Sequence, residues 1–186
     1  MTKKNNIKNI PSIKIIGLGN LLSGNDGIGI RIVQKLYRTK NKYDCLKNVE
    51  IIDLGTCGLD LLNYFENTNL LILIDAISSD KKIGTILKIY GNNLINEDFS
   101  FKISSFHDIS IIDILNIGSK IYNLPKIILF GIVIDNKNIT DNYITNLTLK
   151  IDSILYCCIN KVISLIIEEI ELFIKRYYFN DDLNHE

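Results

Sequence analysis

The chain has no tryptophan, one methionine, two prolines and two histidines among its 186 residues, and it lacks an excess of either charge. Lys plus Arg and Asp plus Glu both number 21, so the formal net charge is zero at pH 7. Without a basic stripe, nucleic acid and anionic membrane are poor partners. Long apolar runs are missing as well. Leu70 to Ile74 and Val162 to Ile167, the latter holding Ser164, fall far short of the roughly 20 residues that a spanning helix requires, so the chain is expected not to be embedded in a membrane. The start, Met1-Thr-Lys-Lys-Asn-Asn, is followed by Ile7, Lys8, Asn9 and Pro11 rather than an apolar stretch and small-residue cleavage site, and no secretory signal is read there. Cys45, Cys57, Cys157 and Cys158 include no Cys-x-x-Cys pair, and adjacent cysteines on a helix are badly placed to bridge each other. Reduced thiols in a cytoplasmic protein are expected. The missing tryptophan, beside abundant Ile, Asn and Lys, reflects compositional bias and carries no functional meaning.

What is present is enough for one core. A length of 186 residues with 47% hydrophobic and 23% charged residues suits a single domain over 1–186, with a polar leader at 1–11 and a frayed tail at 180–186. Ser12 to Ile16 reads as a buried strand that enters a glycine-rich loop at Gly17. From Gly27 to about Tyr37, Ile28, Ile32, Val33 and Leu36 recur at helical spacing. Val49 to Asp53 is a second strand, and Leu59, Leu62, Tyr64 and Phe65 suggest a helix after it. Leu70 to Ile74 is the clearest strand and delivers Asp75 at its end; its continuous apolarity implies burial on both faces. Lys82 to Tyr90 alternates, as an edge or antiparallel strand does, and a polar loop follows from Gly91 to Ser105. Ile109, Ile111, Ile112, Ile114 and Leu115 then mark a helix capped by Ser105 or Asp108. Lys126 to Ile132 is the last core strand, and about Tyr143 to Tyr178 forms one long amphipathic helix. The alternation predicts an α/β fold: a three-layer αβα sandwich with a mostly parallel, twisted sheet of about five strands, one edge strand antiparallel.

In such sheets the chemistry sits in loops beyond the carboxyl ends of the strands. Three residues stand out there: Asp26 in the loop after the first strand, Asp75 at the end of the third, and His107 before a helix. Two carboxylates and an imidazole converging on one rim suit a divalent cation, and the ligand types leave zinc, nickel and manganese open. Each residue also has a plainer role. Asp26 or Asn25 could cap the first helix, Asp75 could hold a turn, and a lone loop histidine most often makes an ordinary hydrogen bond. A rival for the first loop is dinucleotide binding, with Gly17-x-Gly19 as fingerprint and Asp53 as the ribose-binding carboxylate. Against it, Leu22 stands where the third glycine belongs, and Asp26 lies where a pyrophosphate would meet a helix N-terminus. An oxidoreductase is therefore the weaker reading.

As a set, Gly17-x-Gly19-Asn20-x-Leu22-x-x-Asn25-Asp26-Gly27-x-Gly29, Asp53-x-Gly55-Thr56-x-Gly58, Asp75-Ala76, Ser105-Phe106-His107-Asp108 and Phe130-Gly131-Ile132 resemble the hydrogenase maturation protease family. The resemblance runs from about Ile13 to the final helix. It implies an α/β sandwich and an endopeptidase that trims the C-terminal extension from the large-subunit precursor of a nickel-iron hydrogenase. It further implies that Asp26, Asp75 and His107 engage nickel carried by that precursor, which serves as the recognition signal, with no organic cofactor. The glycines 17, 19, 27 and 29 would keep the loop compact and let substrate approach closely. Two departures are visible. The family often carries two consecutive acidic residues before this Gly-x-Gly, and the first is Asn25 here; bulky Phe106 precedes the histidine where the family varies. No Ser-His-Asp or Cys-His order and no His-Glu-x-x-His motif is present, and Cys57 is expected to be a structural thiol. A non-cleaving, nickel-dependent binding factor for the same subunit is the alternative that Asn25 keeps open.

Overall fold

In the computed structural model, which describes residues 10–56, 58–94, 104–105, 110–135 and 147–183, strand β1 (Ile13–Leu18) enters the glycine-rich loop, and a short 3-10 turn at Gly24–Gly27 leads into helix α1 (Ile28–Thr39). Strand β2 (Val49–Gly55), a 3-10 helix at Leu59–Tyr64, strand β3 (Leu70–Ser78) and strand β4 (Ile86–Tyr90) follow. A single turn α2 (Gly91–Leu94), a two-residue strand β5 (Ser104–Ser105), helix α3 (Ile111–Ile121), strand β6 (Lys126–Val133) and the long helix α4 (Ser153–Leu183) complete the order.

The sheet runs β2-β1-β3-β6-β4, with β5 on β3. β1 pairs in parallel with β2 and β3, β3 with β6, whereas edge strand β4 is antiparallel to β6. Successive residues of β3 serve opposite cores. Ile72 and Ile74 join Ile32, Val33, Leu155, Val162 and Ile166 under α1 and α4; Leu71 and Leu73 join Phe65, Ile114 and Leu115 under α3 and the Leu59–Tyr64 turn. Each fully buried aliphatic side chain contributes about 1.5–3 kcal/mol over leaving it in water, so both layers are needed. The expected three-layer α/β sandwich is the observed one.

Several expected boundaries move, each for a local reason. β3 continues three residues past Asp75, because β6 stays in register with it to Ile77↔Val133. The segment after β2 is a 3-10 helix rather than an α-helix. Helix α3 is capped by Ser110, not by Ser105 or Asp108: the Asp113 N–H donates to Ser110 Oγ at 3.1 Å and the Ser110 hydroxyl donates to Asp113 Oδ2 at 2.7 Å. The last helix starts at Ser153, ten residues later than the spacing of Leu147 and Ile151 suggests, since Thr148 forms a parallel β-bridge with Ser23 instead. That helix runs through Leu183. No helix among the described residues is long and apolar enough to cross a membrane.

Candidate functional site at the switch between strands one and three

The strand order reverses at β1: the chain passes from β1 to β2 on one side and to β3 on the other. Loops that diverge at such a point leave a crevice at the carboxyl ends of the strands. The Asp26 loop leaves β1 at this crevice. Gly19, at φ 126°, turns the backbone away from the sheet while its N–H donates to the Gly55 carbonyl at 2.9 Å. The Asn20 side chain accepts the Leu22 N–H at 2.9 Å, and its carbonyl accepts the Ser23 N–H at 3.0 Å, closing a tight turn. Asp26, only 5% exposed, reaches back so that Oδ2 accepts the Asn20 N–H at 2.7 Å. It is therefore not the helix cap. Gly27 holds that position, and no side chain caps α1.

Asp75 is 0% exposed and lies inside β3, opposite Gly131 of β6. On the other edge of β3, pairing with β1 ends at Gly17↔Ile74, and pairing with β5 occupies Ile77↔Ser105 and Ser78↔Ser104. Asp75 and Ala76 thus fall between the two ladders, at the mouth of the crevice. A turn-holding role is excluded, because the strand runs straight through. Burying a carboxylate costs several kcal/mol unless its surroundings repay it, and such a group at the carboxyl end of a strand is a candidate for chemistry.

The Gly24–Gly27 turn lies against β3, and the reason is Gly29. A Cβ there would stand 2.3 Å from the Leu18 carbonyl oxygen and 2.4 Å from that of Ile74. Only a glycine lets the first turn of α1 rest on the ends of β1 and β3, and this contact draws Asp26 to the rim that Asp75 occupies. Gly17 is used likewise, with a Cβ 2.6 Å from the Gly29 oxygen, and Gly27 would meet Leu21 at 2.8 Å. The loop is compact as expected, but the protein's own backbone fills the space these glycines leave, not an approaching substrate.

His107, like Phe106, Asp108 and Cys57, lies outside the described residues. Its chain neighbour Ser105, two residues earlier, is fixed beside Ile77, itself two residues after Asp75. Among the described residues no group of three His, Cys, Asp or Glu side chains could hold a metal. The two carboxylates supply hard oxygen donors of the kind a divalent cation takes, with room in the chemistry for an imidazole.

Asp53, the ribose candidate, is elsewhere. It accepts from Gln34 Nε2 at 3.2 Å in a cleft of about 340 Å³ between α1 and β2, lined also by Val33, Tyr37, Arg38 and Ile51. Neither Asp26 nor Asp75 lines this cleft. What sequence reading missed is the segment 147–152. The Gly24 N–H donates to the Thr148 carbonyl and the Thr148 N–H to the Leu22 carbonyl, each at 2.8 Å. An Arg31 guanidinium N–H donates to the Leu149 carbonyl. Asn25 Nδ2 donates to Asp152 Oδ2 at 2.7 Å, and the Asp152 N–H returns a bond to Asn25 Oδ1 at 2.9 Å. No spacing rule could have found partners 127 residues apart.

A family model described as hydrogenase maturation protease matches residues 30–168, a range that holds Asp75 and His107 and begins just after the Asp26 loop. Over 122 residues the chain is 34% identical to the hydrogenase 2 maturation protease of Escherichia coli, covering 65% of this chain and 72% of that one. It is 32% identical over 120 residues to the hydrogenase expression/formation protein HupD of Bradyrhizobium diazoefficiens, covering 64% of this chain but only 60% of the relative's length. Among solved structures, the hydrogenase maturating endopeptidase HybD from E. coli superposes with a TM-score of 0.64 at 25% identity, covering 86% of this chain and 92% of that one. The [NiFe] hydrogenase maturation protease HybD from Thermococcus kodakarensis gives 0.66 at 22% identity, covering 86% and 99%, which attests the fold. The chain belongs to the hydrogenase maturation protease family.

Proposed function

We propose that this chain is an endopeptidase that removes the C-terminal extension from the nickel-loaded large-subunit precursor of a nickel-iron hydrogenase, with Asp26, Asp75 and His107 engaging the nickel that the precursor brings. What supports this reading is that two buried carboxylates, Asp26 on the loop after β1 and Asp75 inside β3, lie on elements that pack together where the sheet order reverses. Family membership supports the peptidase activity. The metal belongs to the substrate in this scheme, so the carboxylates bind and orient rather than store an ion. Their oxygen donors and the imidazole hold the metal-bearing segment against the rim and bring the scissile peptide beside it. Hydrolysis then adds water across the C–N bond and leaves a new carboxylate on the subunit and a new amine on the released extension.

The test is to incubate the purified chain with nickel-loaded and nickel-free precursor and follow the large-subunit mass. Only the loaded precursor should lose its extension. Equal cleavage of both, or none of either, overturns the metal-recognition reading; a nickel-dependent complex whose components keep their mass would establish a binding factor instead. Dinucleotide titration should show no binding, since Leu22 replaces the third glycine of the fingerprint and Asp26 would oppose a pyrophosphate.

A further inference from the structure

The departure at position 25 has a partner. Asn25 is 8% exposed, beside Asp26, and is joined to Asp152 by two reciprocal hydrogen bonds, one of them to a carboxylate. The amide orientation is set by these bonds, since Nδ2 must donate and Oδ1 must accept. Asp152 is also the first residue of the α4 approach whose carbonyl accepts a helical N–H, that of Leu155, at 2.9 Å. An acid at position 25 would press a second carboxylate against that of Asp152 at hydrogen-bonding distance. An amide donates there instead, so the negative charge stands on Asp152 rather than on residue 25.

We infer that Asn25 and Asp152 are a positioning pair: they lock the Asp26 loop to the start of α4 and thereby hold the Asp26 carboxylate in its place at the crevice. The Ser23–Thr148 bridge and the Arg31 contact with Leu149 run beside the pair and form one clamp with it. The clamp acts on Asp26 through one peptide bond, and Asp26 in turn holds the Asn20 N–H. The part of this inference that concerns activity rests on the function proposed above; the part that concerns the loop does not.

The experiment uses the full chain in three forms besides the parent: Asn25→Asp, Asp152→Ala, and the exchange Asn25→Asp with Asp152→Asn. The exchange preserves both hydrogen bonds, because the amide introduced at position 152 would donate to a carboxylate at position 25 and the backbone N–H at position 152 would still be accepted. Hydrogen exchange is read at the Asn20 and Gly24 amides, which report the loop, and at the β3 amides, which report the whole fold. Losing a charge-assisted bond should speed loop exchange about tenfold or more in each single variant, with β3 exchange far less affected. The exchange variant should return to within about twofold of the parent, and processing of nickel-loaded precursor should fall and recover in step. Unaltered loop exchange in Asn25→Asp, or no recovery in the exchange variant, overturns the inference. Should Asn25→Asp fail to fold, recovery of the fold in the exchange variant decides the pairing. If the parent itself does not cleave, the proposed function fails while the exchange rates still decide the clamp.

Discussion

Replacing Gly29 by alanine tests how the fold makes the crevice. The new methyl would lie 2.3 Å from the Leu18 oxygen and 2.4 Å from the Ile74 oxygen, whereas an ordinary carbon–oxygen contact needs about 3.3 Å. Both obstacles are backbone of paired strands, so neither yields, and α1 must lift by about 1 Å. Overpacking of this kind costs about 1–3 kcal/mol or more, and the helix-propensity gain of alanine over glycine returns about 1 kcal/mol at most. Because Ile28, Ile32, Val33 and Leu36 all bury against the sheet from the same helix, the loss wins, by up to about 2 kcal/mol. For a chain of this size that lowers Tm by up to about 4–8 °C. Processing should fall further than stability, about a hundredfold, because a 1 Å displacement of α1 carries Asp26 with it. Thermal unfolding and the precursor mass assay measure the two effects. Gly55→Ala is the control: φ is 63° but nothing lies within 4 Å, so it should cost only about 1 kcal/mol of backbone strain. Equal effects from the two substitutions, or a Gly29→Ala protein with parental stability and processing, would refute the crowding argument.

Asp75→Asn keeps the shape of the side chain and removes its charge; it should retain the fold by circular dichroism and lose processing by about a hundredfold or more, and undiminished cleavage would remove Asp75 from the site. The thiols should react in order of exposure. Cys157 is exposed, while burial pushes the Cys158 thiol up, where its S–H donates to the Gly84 carbonyl at 3.2 Å, and burial together with Glu171 does the same to Cys45. Iodoacetamide at pH 8 should therefore label Cys157 before either, as peptide mass spectrometry would show; faster labelling of Cys158 would contradict its burial. Lys88 on edge strand β4 bonds to Glu169 of α4 at 2.6 Å, and this bond raises the lysine above its ordinary 10.5. A raised lysine stabilises the fold fully below pH 10.5 and ceases to do so as pH climbs through the raised value. Lys88→Met should accordingly cost no more than about 1 kcal/mol near neutrality, solvent screening the half-exposed ammonium, and the difference from the parent should vanish above that range in pH-dependent unfolding.

The layered α/β plan, β1, α1, β3 and β6 were legible in the sequence because burial on two faces leaves continuous runs such as Leu70–Ile74, and burial on one leaves a stripe such as Ile28, Ile32, Val33 and Leu36. These patterns are local and fixed by the period of the element that carries them. Asp26 and Asp75 were legible as candidates for a topological reason: each follows or ends a strand, where α/β sheets place their chemistry. Which plain role each one escapes was not legible. Only the fold shows that Gly27 rather than Asp26 caps α1, because the Asp26 carboxylate turns back to the Asn20 N–H, and that β3 runs on past Asp75, because β6 stays paired with it. The clamp is wholly tertiary. Thr148 sits in a sequence that reads as helix, yet it is extended because its N–H and carbonyl are taken by Leu22 and Gly24. Asn25 is a mere departure from a pattern until Asp152 is seen against it. Periodicity encodes what a residue does for its own element, while a hydrogen bond across 127 residues exists only once packing has brought its two ends together.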